Sequence, residues 1–250
     1  MNKSFSRVFT LTNRNVKEII RDPLSLSFTL ALPLVMEILF YFIFHNLTPQ
    51  FEMKYLAPGI VVFAQAFLTL FTGILIATDR NTSFLTRLYV SKAKSYEFIF
   101  AYALSILPIT IVQSILFFLI GGLIDPSIFG IGMIFGILLS FFTSLLFIAL
   151  GILFGSICNE KSIGGVSSIV IMGQSVLSGM WFPLEGLSEG FIKFMKCLPF
   201  KNATSLIQNS LNGINDYFSD FWLPLLIVLG YTIVIIVVAI FLFKNKMKDK

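Results

Sequence analysis

Charge is what this sequence has least of. Asp, Glu, Lys and Arg make up 12% of its 250 residues, about half the share of an ordinary water-soluble domain. That is too little to cover a solvated surface. With 56% hydrophobic residues, 29 Phe and a mean hydropathy of +0.90, the chain reads as an integral membrane protein. A soluble enzyme, a disulfide-stapled secreted scaffold and a disordered tail are excluded. Six apolar spans of about 20 residues each use roughly half the chain, so no full soluble domain fits beside them. Histidine and cysteine are scarce too. One His and two Cys cannot build a metal site of the usual kind. No G-x-x-x-x-G-K-[ST] run supplies a phosphate cradle. No Ser–His–Asp set or carboxylate pair is evident, so no catalytic, cofactor-binding or metal-ligating residue is assigned, and energy for any pumping comes from another chain. Residues 1–23 carry Lys3, Arg7, Arg14, Lys17 and Arg21 with no continuous apolar core, unlike a secretory signal peptide.

What is present is a series of helices. Phe5, Val8, Phe9, Thr12, Val16, Ile19 and Ile20 recur at helical spacing and predict an amphipathic helix over 4–20. Arg7, Arg14 and Arg21 fall on another face, as in a helix lying in a membrane surface with its cations towards anionic headgroups. Asp22-Pro23 ends it. Spans are expected at 24–44, 55–78, 98–124, 128–155, 163–182 and 221–243, with Pro33 bending the first. Fourteen Lys and Arg fall on the N-terminal side of this arrangement and four, Lys54, Lys193, Lys196 and Lys201, on the other. That asymmetry puts both termini in the cytoplasm, and a net charge of +5 then marks orientation rather than a nucleic-acid partner. Trp181 and Trp222 fall at the outer interface. Cys158 inside and Cys197 outside cannot pair within one chain.

Four features are candidates for function. In the connector 79–97, Phe84, Leu85, Leu88 and Tyr89 give one apolar side flanked by Arg80 and Arg87, suited either to lipid or to a protein groove. In 183–220, two short amphipathic helices form either a re-entrant hairpin, shielded by protein or water, or a cap lying flat. Glu37 is the one charge inside a predicted span. At the bilayer centre it costs roughly 2.5–3.5 kcal/mol, so it is expected to face a translocation path or to pack against protein. Gln65 and Thr69 with Thr72, and Gln174 with Ser175 and Ser178, are polar groups that also suit a path. Gly132, Gly136, Ser140 and Ser144, at every fourth residue, suit close helix packing, and Gly164, Ser168, Ser175 and Gly179 a dimer contact of the same kind.

Asp79-Arg80-Asn81-Thr82-Ser83-Phe84-Leu85-Thr86-Arg87-Leu88 and Ser178-Gly179-Met180-Trp181-Phe182-Pro183-Leu184-Glu185-Gly186-Leu187, with the surface helix at the start, resemble the ABC-2 type permease family, the membrane halves of ABC exporters. The resemblance covers essentially the whole chain as one domain, 1–250. It implies an all-α integral membrane protein with six transmembrane helices: an amphipathic elbow helix over 1–22, a cytoplasmic coupling helix within 79–97, and an outer re-entrant hairpin in 183–220 between the fifth and sixth spans. It implies a separate ABC ATP-binding subunit that holds ATP and Mg, no cofactor on this chain, and a second permease chain, identical or not, in a bacterial plasma membrane. Arg80, Phe84, Leu85, Arg87 and Leu88 would couple to that ATPase, and Trp181, Phe182, Pro183 and Glu185 would belong to an outer gate or the re-entrant segment. A small amphiphilic, drug-like or lipid-like substrate is expected. A channel or a secondary transporter working alone is the alternative, although such transporters usually carry repeats or several mid-membrane charges.

Overall fold

The computed structural model describes residues 3–82, 95–184, 186–214 and 216–248. Every regular element among them is helical: α1 (Lys3–Ile20), α2 (Pro23–Phe44), α3 (Met53–Asn81), α4 (Ser95–Ile124), α5 (Ile131–Ile157), α6 (Glu160–Leu177), α7 (Glu189–Cys197), α8 (Pro199–Asn212) and α9 (Leu223–Lys248). Local chemistry sets the breaks. Asp125 accepts a hydrogen bond from the Ser127 amide at 3.0 Å beside Pro126, making the turn between α4 and α5. Asn159 caps α6 by accepting from the Ser162 amide at 2.9 Å, as N-caps do. Gly213, at φ +92°, ends α8, a conformation that suits glycine.

Five of these helices are long and apolar enough to cross a membrane: Leu26–Phe44, Met53–Arg80, Ser95–Ile124, Ile131–Ile157 and Phe218–Leu242. The chain is a multi-pass membrane protein. The predicted span at 163–182 differs. Helix α6 starts earlier and stops at Leu177, because Gly179 turns the backbone to φ +68°. Its 18 residues rise about 27 Å, slightly less than a hydrocarbon core of about 30 Å, and they include Ser162, Ser167, Ser168, Gln174 and Ser175. The connector is also shorter than expected, since α3 runs on to Asn81 and α4 begins at Ser95.

Helix α3 is the centre: 83% of its apolar window is buried, against 17% for α2 and for α9. It packs on α2, α4, α5, α6 and α8. One apolar core, around Leu56, Ile60, Phe117, Phe147 and Leu206, lies towards the end of the bundle that holds α7 and α8. A second, around Ile19, Phe71, Phe98, Ile106 and Ile152, lies towards α1. Close approach of α5 to α3 joins them. A Cβ on Gly151 would stand 2.6 Å from Thr72 Cβ and 2.8 Å from the Thr69 carbonyl, and one on Gly155 would stand 2.9 Å from the Gly73 carbonyl. Further along α5, Gly132 packs on the α8 backbone, where a Cβ would meet the Ser210 carbonyl at 2.4 Å, and Gly136 packs against Phe118 and the Ser210 hydroxyl. The glycines of this stripe therefore serve helix packing.

Gly155→Leu is expected to lower the thermal midpoint of the purified chain strongly, because backbone lies where the side chain would go. Gly230→Leu, where nothing stands within 4 Å, is expected to leave it near wild type. Thermal unfolding in detergent, read by size-exclusion chromatography, compares the two.

Candidate functional site

The undescribed residues 83–94 are flanked by the end of α3 and the start of α4, and α1 binds both. Asp79, in the last turns of α3, is 1% exposed, and Glu97, in the first turn of α4, is 0% exposed. A buried carboxylate needs a cation and donors, and α1 supplies them. Arg14 donates to both Asp79 oxygens, its Nη2 at 2.6 Å, and also pairs with Glu18. The Tyr102 hydroxyl donates to Asp79 at 2.6 Å. Two helical turns earlier, Arg7 holds Glu97 in a fork, Nη2 at 2.7 Å and Nε at 3.0 Å, and Ser4 donates to the same carboxylate. The hydrogen bond to Glu97 and its charge hold the Arg7 guanidinium more firmly protonated than usual. Burial opposes the charge on Arg14, but Asp79 outweighs it and the net direction is the same. Burial and the nearby Asp79 charge lift Glu18, and Arg14 offsets part of that.

Arg80, next to Asp79, turns the other way. Its guanidinium donates to the carbonyls of Gly155 at 2.8 Å and Cys158 at 3.1 Å, closing the C-terminal turn of α5 as cations there do. Thr78 reaches Glu160 at the start of α6 at 3.4 Å. The foot of α3 is thus tied to α1 on one side and to the α5–α6 turn on the other. Such an array holds and transmits position. Among the described residues no cluster of His, Cys, Asp or Glu suits a metal ion.

The sequence-derived candidates are distributed through the fold as follows. Phe84, Leu85, Arg87, Leu88 and Glu185 lie outside the described residues. Glu37 is fully buried on the inner side of α2. Its Oε1 is 3.1 Å from where a Cβ on Gly121 would stand, beside Ile128 and Met53 at the same distance, and neither oxygen has a hydrogen-bond partner. Gln65 and Thr69 face α5: Gln65 donates to the Ser140 carbonyl at 2.9 Å and accepts from Thr143 at 2.8 Å, and Thr69 donates to the Phe147 carbonyl at 3.1 Å. Gln174 donates to Thr204 of α8 at 3.1 Å. Ser175 accepts from the Trp181 indole at 2.7 Å, and Ser178 from the Met180 amide at 3.3 Å. Trp181 packs edge-on against Phe40 and Phe63, with ring centroids 4.8 and 5.8 Å apart, Phe182 is half-buried and Pro183 exposed. Gln65, Thr69 and Gln174 thus bond helices of one chain to each other, whereas Ser175 and Ser178 bond within the turn that ends α6. Arg7 and Arg14, assigned by spacing to lipid headgroups, are instead spent on carboxylates. Spacing and composition do not mark Asp79 and Glu97 as site residues, because both fall at the ends of the predicted connector. The signal was there: two acids at the connector's ends, facing a helix with Arg at a seven-residue interval.

The residues that the comparison with known families matches include both feet of the segment 83–94. A family model described as ABC-2 type transporter matches residues 6–212. The chain belongs to the ABC-2 type transporter family. A curated relative, ABC transporter G family member 20 of Dictyostelium discoideum, is 24% identical over 202 residues, covering 79% of this chain and 27% of that protein. The chain thus spans about a quarter of that relative's length. The match makes these residues a membrane domain of the ABC transporter kind.

Two predictions concern buried charges. Asp79→Ala strands Arg14 and the Tyr102 hydroxyl and is expected to cost about 3 kcal/mol. Arg14→Met combined with Asp79→Leu should cost clearly less than the sum of the single changes, in a double-mutant cycle of thermal stability. The second concerns Lys201, in the first turn of α8, whose Nζ is 3.6 Å from the Cβ position of Gly179. Burial, and then the Lys196 charge, lower its ammonium from 10.5 to about 8. The unfolded chain therefore binds more protons between these values, and Lys201 costs stability below pH 8 that is regained as pH rises towards 10.5. Lys201→Met is expected to be more stable than wild type at pH 7 by on the order of 2 kcal/mol, with the difference shrinking above pH 8 in a pH series of thermal midpoints.

Proposed function

We propose that the chain is the permease of an ATP-driven exporter, energised by a separate ATP-binding subunit that docks on 83–94, and that it carries a small amphiphilic, drug-like or lipid-like substrate outward across a bacterial plasma membrane. The observation that carries this reading is the double anchorage of that segment: α1 holds Asp79 and Glu97, and Arg80 holds the C-terminal turn of α5. A segment pushed by an ATPase needs feet that do not slip and a link to the helices that move. In this reading both termini are cytoplasmic, by the cation asymmetry, and α1 is the elbow lying in the inner membrane surface. Helix α6 is the fifth of six crossings, and α7 and α8 are the outer re-entrant pair between it and α9, with Trp181, Phe182, Pro183 and Glu185 at the outer gate. A second permease chain packs on the open side of α6, where Gly164 and Gly165 have nothing within 4 Å and Ile169 and Met172 are exposed. Glu37 lies beside the translocation path and reaches it when the helices rock apart.

Phe84→Ala with Leu88→Ala removes the apolar side of the segment, each side chain worth about 1.5–3 kcal/mol when buried. The pair is expected to lose co-purification with the ATPase while the permease still inserts. Arg80→Ala should keep the ATPase but lose substrate-stimulated hydrolysis, since only the link to α5 is cut. Undiminished association and coupled transport in the first variant would overturn the assignment of 83–94.

A further inference from the structure

Helix α1 has three sides. Leu11, Asn15 and Ile19 pack into the bundle, Phe5, Phe9 and Ile20 are exposed and apolar, and Thr10, Asn13, Lys17 and Arg21 are exposed and polar. Beside the polar side is a cavity of about 620 Å³ walled by Arg14, Lys17, Glu18 and Arg21. A second, of about 300 Å³, shares Glu18 and Arg21 with it and is closed by Phe71, Ile74 and Leu75 of α3. A third, of about 110 Å³, shares Phe71 and Ile74 with the second and runs between α2 and α3, past Phe28 and Phe67. Successive hollows share wall residues, so the three lie side by side, the first among charges and the last among hydrocarbon side chains.

The charges at the first two hollows divide into used and unused. Arg14 is bound to Asp79 and Glu18, and Asp22, also at the second cavity, is engaged as well. Lys17 and Arg21 make no ion pair among the described residues; Lys17 is in the last turn of α1 and Arg21, four residues on, directly follows its end, and both line the first hollow. Two cations with no ion pair among the described residues, next to hollows that narrow between apolar walls, fit a molecule with an anionic head and a hydrocarbon tail.

We propose that this row of hollows holds one anionic phospholipid of the leaflet on the α1 side, its phosphate at Lys17 and Arg21 and an acyl chain along Phe71 and Ile74 between α2 and α3. The lipid fastens α1 to the α2–α3 pair on the side that the Asp79 and Glu97 anchors leave open. The proposal rests on reading α1 as a membrane-surface helix.

The test is native mass spectrometry of the full chain taken from vesicles of equal phosphatidylglycerol and phosphatidylcholine, counting each lipid retained. Wild type is expected to retain phosphatidylglycerol in preference. Lys17→Gln with Arg21→Gln should reduce that preference roughly thirtyfold, from the strength of two cations at an anionic surface, and excess salt should weaken it. Lys193→Gln with Lys196→Gln, the same charge removed on α7, should leave it unchanged. Ile74→Trp, which fills the apolar hollows, should reduce retention of both lipids. Glycerol phosphate in excess should not displace the bound lipid; displacement would mean a phosphate site without a tail slot and would overturn the proposal. So would an unchanged preference in the Lys17/Arg21 variant, or an equal loss in the Lys193/Lys196 variant. Phe9→Trp, quenched by brominated acyl chains, tests the surface-helix reading separately. Absence of quenching removes that reading and the proposal together, whereas quenching with an unchanged preference removes the proposal alone.

Discussion

Lipid tails are as apolar as leucine, so helices inside a membrane gain little from apolar contact as such. They associate where backbones can come close and where polar groups find each other. In this chain both conditions meet along one seam, between α3 and α5. Gly151 and Gly155 let α5 lie directly on the α3 backbone. At that distance Gln65, Thr69 and Thr143 span the gap with hydrogen bonds, two of them to α5 carbonyls. Everything else is arranged on this pair: α8 fits against Gly132 and Gly136 at one end, and Arg80 caps α5 at the other. A close-packed α3–α5 unit whose foot is also one foot of the segment 83–94 can act as a lever. What acts on that foot acts on the whole seam.

The charges at the α1 end follow the opposite logic. A buried ion pair contributes little net stability over apolar packing, yet is expensive to break. Asp79 and Glu97 therefore say less about how firmly the bundle holds than about where α1 must sit. Each carboxylate accepts only in one place, and the arginines reach both only when α1 lies across the foot of α3 and the start of α4. Placement of this kind suits an element that has to keep its register while neighbouring helices move.

Much of this was legible from the amino-acid sequence. The absence of charge identified the medium, and the spacing of Phe5 to Ile20 placed α1 to within a residue or two. The glycine stripe of α5 was readable as packing because its interval matches the helix repeat. The end of the fifth predicted span was not legible. Met180, Trp181 and Phe182 continue the apolar composition, and only the left-handed turn at Gly179 takes them out of the helix. The partners of Gln65, Thr69 and Gln174 were also hidden. A polar side chain in an apolar helix must face something, but hydropathy cannot separate a neighbouring carbonyl from a watery path. The anchors were missed for a related reason. Asp79 and Glu97 are acids near the edge of a span, and a composition-based boundary assigns such residues to water even when a cation on another helix has already claimed them.

The cations of α1 show how far periodicity reaches. Spacing of seven assigns Arg7, Arg14 and Arg21 one task, since they recur on one face. The fold gives them different ones, because different groups lie beneath successive turns of α1. Arg7 and Arg14 lie over buried carboxylates, whereas Arg21, just past the end of α1, is exposed beside Phe71, Ile74 and Leu75 of α3. Lys17 belongs with Arg21, although it is outside the arginine series, because both line the same hollow. The group that matters on a surface helix is therefore set by what lies beneath it. Where acids lie beneath, the cations are consumed inside the chain, and only those left over stay exposed.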